Sequence, residues 1–252
     1  MTVDEGYGIR PPGERVRRAV SERGVRPVAA DIARFTRGWL AGQPGLVGVA
    51  GVGGGATFTF QGRTYPYLFH PYKHSWLTER AVEVPVARAV VEQYAAGRIL
   101  EVGNVLGHYR AHSHLVVDKY EHEPGVVNRD VLELEDLGKF DLIVAISTLE
   151  HVGQDELPRE PDKAARAALA LRERLAPGGR LLVTVPIGYN AAFDAALRDG
   201  TLPVSEASAM ERIGSSRRWR EVSPDAVSSA RYDFLLYAAR AVLFAFIDAP
   251  SG

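Results

Sequence analysis

The sequence of 252 residues contains no cysteine. This absence excludes disulfide bonds and every metal site built from thiolates. An excess of positive charge is also missing, because 30 lysine and arginine residues are balanced by 31 aspartate and glutamate residues, which leaves a net charge of -1 at pH 7. Proteins that bind nucleic acid normally carry a basic surface. We therefore expect no nucleic-acid partner.

Long apolar runs are missing as well. No stretch of the sequence approaches the roughly 18–20 apolar residues that cross a bilayer, and residues 1–10 lack the apolar centre of a signal peptide. We expect a cytoplasmic protein that has no membrane partner. The length allows one domain with a sizeable extension.

An apolar run that breaks on two glycines lies near the middle of the chain. Residues 99–102 form the run, which contains Glu101, and Gly103 and Gly107 follow it. A short apolar run bounded by glycine predicts a buried strand that enters a turn. In an open α/β sheet such a turn binds nucleotide-like ligands, and glycine lets the backbone approach the ligand closely. The pattern predicts a ligand-binding turn.

Four further strand-like segments follow this turn, at residues 114–118, 125–131 and 140–146 and within 175–186, where the end of a helix and a turn come before the strand. The first ends in Asp118, and the second carries Asp130 near its end. The third continues into the polar residues Ser147 and Thr148. Carboxylates and hydroxyls at the ends of strands are the groups that an α/β sheet presents to a ligand.

The segments together resemble the class I S-adenosylmethionine (SAM)-dependent methyltransferases over roughly residues 80–248. The resemblance rests on the Glu-x-Gly-x-x-x-Gly turn, the two strand-end carboxylates, Leu-Glu-His after the 140–146 strand and Leu-x-Pro-Gly-Gly before the last one. It implies a Rossmann-like α/β fold with a mostly parallel seven-stranded sheet, helices on both faces and a final strand inserted antiparallel. It also implies SAM as cofactor and S-adenosylhomocysteine as product, with small-molecule or sugar-pathway enzymes as the most similar type.

The resemblance assigns cofactor contacts residue by residue. Asp118 would accept hydrogen bonds from the ribose hydroxyls, and Asp130 and Val131 would flank the adenine. The alternatives are a solvated turn for Asp118 and a helix cap for Asp130. The full set implied for the cofactor is Arg80, Glu101, Gly103, Asn104, Gly107, His108, Tyr109, Asp118, Lys119, Asp130, Val131, Ser147 and Thr148.

His151 is the predicted general base. It follows the strand at 140–146, where a pocket opens at the carboxyl ends of the strands, and a free imidazole titrates at about pH 6.5, which suits proton removal. The alternative is that His151 only packs against the helix that follows. The catalytic candidates are His151, Tyr189 and His74, and the residues expected to bind the acceptor are His70, Tyr72, His74, Trp76, His151 and Tyr189.

Glu150, His151 and Asp155 are candidate metal ligands, because they are close in sequence. Mg²⁺ prefers several oxygen ligands, and one such cluster does not supply them. We therefore expect no metal.

Residues 1–76 precede the cofactor motifs and are predicted to form an extension, while residues 77–252 form the SAM-binding core. Helical spacing at 14–23 and 27–41 predicts two helices, the second with an apolar face that includes Val28, Ile32 and Trp39. Strand–turn–strand patterning within 46–68 predicts a β-hairpin that turns at Gln61 and Gly62. In the core, we expect Thr78 and Asn190 to cap helices and residues 210–222 to hold one strand broken at Gly214. The extension would act as an acceptor lid or as a static packing element. The three alternating glycines at 51–55 are not a dinucleotide fingerprint, because no helix pattern follows them.

The function implied is methyl transfer to a hydroxyl, or second to an amine, of a sugar-containing or polyhydroxylated natural product, by a monomer or homodimer. The alternatives are a member of the fold that does not methylate and a methyltransferase that acts on a macromolecule. A nicotinamide dehydrogenase would need Gly-x-Gly-x-x-Gly in the first turn, and this chain lacks it there.

Overall fold

A computed structural model describes residues 11–41, 55–214 and 217–250. The expectations for the first ten residues and for the glycines at 51–54 lie outside these ranges. The described helices are α1 (Pro12–Arg23), α2 (Val25–Ala41), α3 (Arg80–Gln93), α4 (Lys163–Arg172) and α5 (Ala191–Arg198). The described strands are β1 (Thr57–Phe60), β2 (Arg63–Pro66), β3 (Ile99–Val102), β4 (Leu115–Val117), β5 (Val126–Val127), β6 (Phe140–Ile146), β7 (Leu175–Pro186), β8 (Val204–Arg212), β9 (Trp219–Val222) and β10 (Ala241–Asp248).

One sheet of eight strands dominates the structure, in the order β5-β4-β3-β6-β7-β10-β8-β9. The five strands from β5 to β7 are parallel, and β10 lies antiparallel between β7 and β8. The Rossmann-like α/β fold and the antiparallel insertion of the final strand are thereby confirmed. Because the strand order reverses direction at β3, the turns after β3 and β6 meet at one edge of the sheet.

The expected number of seven strands was wrong. Residues 210–222 were predicted to hold one strand broken at Gly214, but they contain the end of β8 and the whole of β9, which pair antiparallel. Gly214 has φ 56°, a conformation that favours glycine. The break is therefore a reversal of the chain, and it adds an edge strand to the sheet.

β6 shows why the sheet sits at the centre of three layers. Its side chains alternate between the two faces: Ile143 and Ala145 pack with α4 and α5, whereas Leu142 and Val144 pack with α3. All four side chains are fully buried. A strand covered on both faces reads as a continuous apolar run, which is the pattern seen in the sequence.

The helix α3 runs through Pro85 without a break. Proline has no N–H, so the carbonyl of Ala81 loses its helical partner. That carbonyl accepts a hydrogen bond from the N–H of Leu68 at 3.0 Å instead. The proline thus ties the chain that leaves the hairpin to α3. The predicted cap by Thr78 was wrong, because its hydroxyl donates to the carbonyl of Ser75.

The start of α5 matches the prediction. The Asn190 side chain accepts a hydrogen bond from the N–H of Phe193 at 3.1 Å, so it caps the helix. Its amide also donates to the carbonyl of Glu150 at 3.0 Å. The cap therefore connects α5 to the segment that follows β6.

The described part of the extension packs on the core through the hairpin β1–β2, which turns at Gln61 as predicted. Phe60 packs against Phe244 of β10, with 4.6 Å between the ring centroids and a tilt of 43°. The predicted apolar face of α2 is only partly covered, because Val28 is buried while Ile32 and Trp39 are 40% and 37% exposed. Within the described ranges, no helix is long and apolar enough to cross a membrane.

Candidate functional site

The turn after β3 is shaped from below by Glu101. This buried carboxylate accepts hydrogen bonds from the N–H groups of Val105 and Leu106, both at 2.7 Å, through Oε1. Its other oxygen lies 2.7 Å from Nε2 of His114. Glu101 therefore holds the glycine loop (residues 103–109) in place, and both of its oxygens are engaged within the protein.

Gly103 brings this loop directly against the end of β6. It has φ 83°, and a Cβ added there would lie 2.3 Å from Oγ1 of Thr148. The Thr148 hydroxyl donates to the carbonyl of Ile146 at 3.0 Å. The two strand ends expected to line the cofactor are thus in direct contact.

Gly103→Ala is expected to destabilise the protein more than Gly125→Ala. Gly125 has φ 88° with nothing within 4 Å of an added Cβ, so its substitution costs only the left-handed backbone strain, about 1–2 kcal/mol. At Gly103 the clash with Thr148 adds roughly 1–3 kcal/mol. Urea denaturation of both variants measures the difference. Equal losses would show that Thr148 moves aside without cost.

Asp118 follows β4 and faces the same edge. Its Oδ1 accepts hydrogen bonds from the N–H groups of Tyr120 and Glu121, both at 2.8 Å. Its second oxygen accepts no hydrogen bond from the residues that the structure describes. The carboxylate is therefore oriented by the turn and keeps one oxygen for another partner.

Glu121 links this turn to the glycine loop, and the sequence analysis missed it. Its carboxylate accepts from Nδ2 of Asn104 at 2.7 Å and lies 2.9 Å from Nε2 of His108. Only its place three residues after Asp118 could have indicated it. Because Asn104 and His108 are held by Glu121, the loop and the end of β4 form one wall.

Aromatic rings from the extension cover the loop. Tyr72 stacks on His108 at 4.0 Å between centroids, and His70 meets the edge of Tyr109 at 5.2 Å. The Tyr109 hydroxyl is buried and has no hydrogen-bond partner among the described residues. Burial raises the pKa of Tyr109 to about 12, so the hydroxyl keeps its proton and can donate it to an acceptor.

The first turn of α3 contacts the end of β6. The Arg80 guanidinium donates to the carbonyl of Ile146 at 3.0 Å and lies 3.2 Å from Oε2 of Glu83. Glu83, which the sequence analysis did not single out, also accepts hydrogen bonds from the hydroxyls of Ser147 and Thr184. Burial raises the pKa of Glu83, and the Arg80 charge opposes that rise. Ser147 and Arg80 thus belong to one buried polar cluster.

Asp130 is engaged by two lysines. Its Oδ2 lies 2.9 Å from Nζ of Lys119 and 3.0 Å from Nζ of Lys163, and its Oδ1 accepts from the N–H of Leu132 at 3.1 Å. Partial burial raises the pKa of Asp130, but these hydrogen bonds outweigh it and hold the value at about 2. Because each carboxylate oxygen can accept two hydrogen bonds, Oδ1 keeps one position for an adenine amine, and that contact stays a prediction. Val131 is buried in the main core.

His151 is oriented by a carboxylate, as a general base requires. Its Nδ1 lies 2.5 Å from Oδ2 of Asp155, and the Tyr189 hydroxyl donates to the same oxygen at 2.6 Å. The rings of His151 and Tyr189 are 4.5 Å apart. The structure thus brings together two of the three predicted catalytic side chains, joined by Asp155.

Glu150 lies beside this group and has no hydrogen-bond partner for its carboxylate among the described residues. Both of its carboxylate oxygens are buried and accept no hydrogen bond from another described residue. Its Oε1 is 3.7 Å from Nε2 of His151. Burial raises the pKa of Glu150 well above its ordinary value, which favours the neutral carboxylic acid.

His74 and Trp76 lie elsewhere, against α2. The indole N–H of Trp76 donates to the carbonyl of Gly38 at 3.0 Å, and its ring stacks on Phe69 at 4.6 Å. His74 meets the edges of Trp39 and Trp76. His74 and Trp76 were predicted to bind the acceptor substrate, but here they pack the segment before α3 against α2. His70 and Tyr72, in contrast, reach the glycine loop.

Asp194 supports the loop that carries Tyr189, since it accepts a hydrogen bond from the N–H of Gly188 at 2.8 Å. Burial raises the pKa of Asp194 to about 6, above the roughly 3.9 of an unfolded chain. The folded state therefore binds this proton more tightly. The resulting contribution to stability is complete below about pH 4 and is lost as the pH rises through about 6.

The change in the free energy of unfolding caused by Asp194→Asn is accordingly expected to be about 1–3 kcal/mol more favourable near pH 7.5 than near pH 4. Asp199, which is exposed, should show the opposite dependence on pH, because hydrogen bonds from Thr201 lower its pKa. We therefore expect Asp199→Asn to lose more stability at the higher pH. Chemical denaturation at both pH values measures the two variants. A pH-independent effect of Asp194→Asn would show that its carboxyl ionises as in the unfolded chain.

The site has groups that fit the SAM implied by the sequence. Asp118 keeps one free carboxylate oxygen for ribose hydroxyls, and the unpartnered Tyr109 hydroxyl lies in the same wall as Arg80, whose charge acts on it. A donor and a cation together suit a carboxylate such as that of the cofactor's amino-acid part. Both oxygens of Glu101 are engaged within the protein, so its contact with the cofactor stays a prediction.

The sheet order and the antiparallel final strand define a Rossmann-like α/β fold. No family model matches the chain, and no curated protein sequence is significantly similar to it.

Solved structures similar to the chain include methyltransferases. The N-methyltransferase NodS from Bradyrhizobium japonicum WM9, in complex with S-adenosylhomocysteine, is 16% identical, with 69% of this chain and 92% of that chain covered and a TM-score of 0.37. The sugar N-methyltransferase KedS8 from Streptoalloteichus sp. ATCC 53650 is 13% identical, with 79% and 99% covered and a TM-score of 0.36. Similarity at this level does not carry an activity or a substrate over to this chain.

Proposed function

We propose that the protein is a SAM-dependent methyltransferase that acts on a hydroxyl of a small molecule, with His151 as general base. The observation that carries the proposal is the His151–Asp155–Tyr189 arrangement at the carboxyl end of β6. His151 follows β6. The first two residues after that strand are Ser147, which donates a hydrogen bond to Glu83 of α3, and Thr148, which contacts Gly103 of the glycine loop.

The cofactor, when bound, supplies an electrophilic methyl group on a sulfonium that is a good leaving group. Asp118 and Tyr109 would hold its ribose and its carboxylate, as their uncommitted groups suggest. The task left to the protein is to align the acceptor and to remove its proton. His151 would take that proton at Nε2, while Asp155 holds Nδ1–H and stabilises the imidazolium that forms.

Tyr189 would act through Asp155. Its hydroxyl donates to the same oxygen that pairs with His151, so it orients the carboxylate. Burial and this hydrogen bond raise the pKa of Tyr189 well above its ordinary value, so Tyr189 is a donor and not a base. This assignment replaces the broader catalytic role expected for Tyr189.

An aromatic surface next to His151 supports an acceptor that contains a sugar. Tyr189, Tyr232 and Phe234 lie 5.0–5.4 Å apart between ring centroids, and Phe234 is 45% exposed. The apolar face of a sugar ring can pack on such rings while its hydroxyls reach polar groups. We propose a sugar-containing or polyhydroxylated acceptor, with an amine acceptor as the second candidate.

The extension, residues 1–76, is proposed to shape the acceptor side. In the described part, His70 and Tyr72 lie on the glycine loop while His74 and Trp76 anchor the segment to α2. This arrangement favours a static cover over a mobile lid.

Calorimetric titration with SAM, S-adenosylhomocysteine and NAD tests the cofactor. We expect saturable binding of the first two and none of NAD. Release of S-adenosylhomocysteine in the presence of a panel of glycosides, polyols and amines then tests the reaction. Binding of NAD, or no binding of SAM, would contradict the proposal, whereas SAM binding without turnover on any acceptor would favour a non-methylating member of the fold.

A further inference from the structure

A second cluster of ligating side chains lies behind the glycine loop. Glu101, His112 and His114 each offer one donor atom, and these atoms all lie within 4.8 Å of one another. The closest pair, Oε2 of Glu101 and Nε2 of His114, is 2.7 Å apart. These residues differ from the candidate metal ligands Glu150, His151 and Asp155 of the sequence, and His112 was not among the predicted site residues.

Local structure explains why the three side chains converge. His112 and His114 lie just before β4, and their rings stack at 4.1 Å with an angle of 19° between them. Gly107 leaves room for them, because a Cβ there would lie 3.1 Å from Nε2 of His112. β3 pairs with β4, which starts after His114, so Glu101 comes alongside the two imidazoles.

The cluster is built partly in advance. The side chains of Glu101 and His114 are 0% and 6% exposed, and Oε1 of Glu101 is fixed by two backbone N–H groups. His112 is exposed and closes the cluster from the solvent side. Two of the three donors therefore lose little conformational entropy when they bind an ion.

We propose that Glu101, His112 and His114 form a binding site for a divalent transition-metal ion such as Zn²⁺. Two imidazoles and one carboxylate form a common donor set for such ions, whereas Mg²⁺ and Ca²⁺ prefer oxygen ligands. The ion would lie between Oε2 of Glu101 and Nε2 of His114 in place of the direct contact between them. Metal–donor distances of about 2.0–2.1 Å require the two atoms to separate by about 0.5 Å.

A cavity of about 540 Å³ adjoins the cluster, because His112 and His114 are among the residues that line it, together with Arg88 and Arg110. A water or a small anion that completes the coordination from this cavity would share the cavity with the two arginines. Because Glu101 also holds the N–H groups of Val105 and Leu106, the bound ion would stiffen the glycine loop.

Titration of the untagged protein with Zn²⁺, followed by calorimetry, tests this site directly. The expected result is saturable binding of one ion per chain, with a rise in Tm that a chelator reverses. Co²⁺ in place of Zn²⁺ should give the visible absorption of a four-coordinate ion with nitrogen ligands.

The variant that decides the matter is His112→Ala. His112 is exposed and no hydrogen bond of its side chain is recorded among the described residues, so the metal-free variant should keep its fold. We expect its affinity for Zn²⁺ to fall by at least about tenfold. The matched control is His122→Ala, which removes an exposed histidine bonded to Asn128 and should bind Zn²⁺ like the unsubstituted protein. No saturable binding to the unsubstituted protein, or equal affinity in the two variants, would overturn the proposal.

Discussion

His151→Ala is expected to lower kcat for a hydroxyl acceptor by about 10²–10⁴-fold, the usual contribution of a positioned general base. The affinity for SAM should change little, because His151 contacts Asp155 and Tyr189 rather than the glycine loop. The pH–rate profile should lose the ascending limb that deprotonation of a base produces. Single-turnover methyl transfer across pH measures both effects.

Two variants separate proton removal from packing. Asp155→Asn keeps a side chain of the same size but removes the charge that orients His151, so kcat should fall without loss of stability comparable to that of a core substitution. Tyr189→Phe removes one hydrogen bond to Asp155 and should have the smallest effect. If His151→Ala keeps both the rate and the pH profile, the base must be sought elsewhere, with His70, which lies against Tyr109 of the glycine loop, as the next candidate.

A small loss of kcat in His151→Ala would carry its own meaning. An amine that reaches the site already neutral needs no base before it attacks the methyl group. Such a result, combined with turnover on an amine, would favour N-methylation and leave His151 an aligning role.

Asp118→Ala is expected to weaken SAM binding by at least about 100-fold. The variant would lose two hydrogen bonds from the ribose hydroxyls, and each charge-assisted hydrogen bond contributes roughly 1.5–3 kcal/mol. Calorimetric titration measures the dissociation constant. Because Asp118 also accepts hydrogen bonds from Tyr120 and Glu121, the alanine variant can disturb the turn as well.

Asp118→Asn separates the two roles of this side chain. It retains an oxygen for the two N–H groups of the turn and loses the negative charge. We expect it to keep its stability and still bind SAM more weakly than the unsubstituted protein. Asp225→Ala, which removes an exposed aspartate, serves as control. Unchanged affinity in both Asp118 variants would mean that the end of β4 does not hold the ribose.

Short-range features of the chain were determined by the sequence alone. The apolar run of β6, the turn at Gln61 and the cap by Asn190 were all predicted and found. Each depends on residues within a few positions, through side-chain periodicity, turn chemistry or a hydrogen bond to the first helical turn. The order of such elements was also enough to predict the Rossmann-like α/β fold.

The number of strands and the cover of α2 were not determined in this way. A glycine at position 214 is compatible with either a break within one strand or a reversal of the chain between two strands. Only the pairing of β8 with β9 shows that the chain reverses. The apolar spacing of α2 predicts a buried face, but what covers that face depends on distant parts of the chain, and Ile32 remains exposed.

The partners of the candidate site residues were decided by the tertiary structure. Sequence analysis placed His151 and Asp118 at strand ends, yet it could not show that Tyr189 would share Asp155 with His151 across 34 positions or that two lysines would engage Asp130. Long-range hydrogen bonds leave no periodic signal, because they depend on how the sheet brings separate loops to one edge. The sequence by itself therefore determined the fold class and the strand ends at which the candidate residues lie, whereas packing decided which of those side chains are already engaged within the protein.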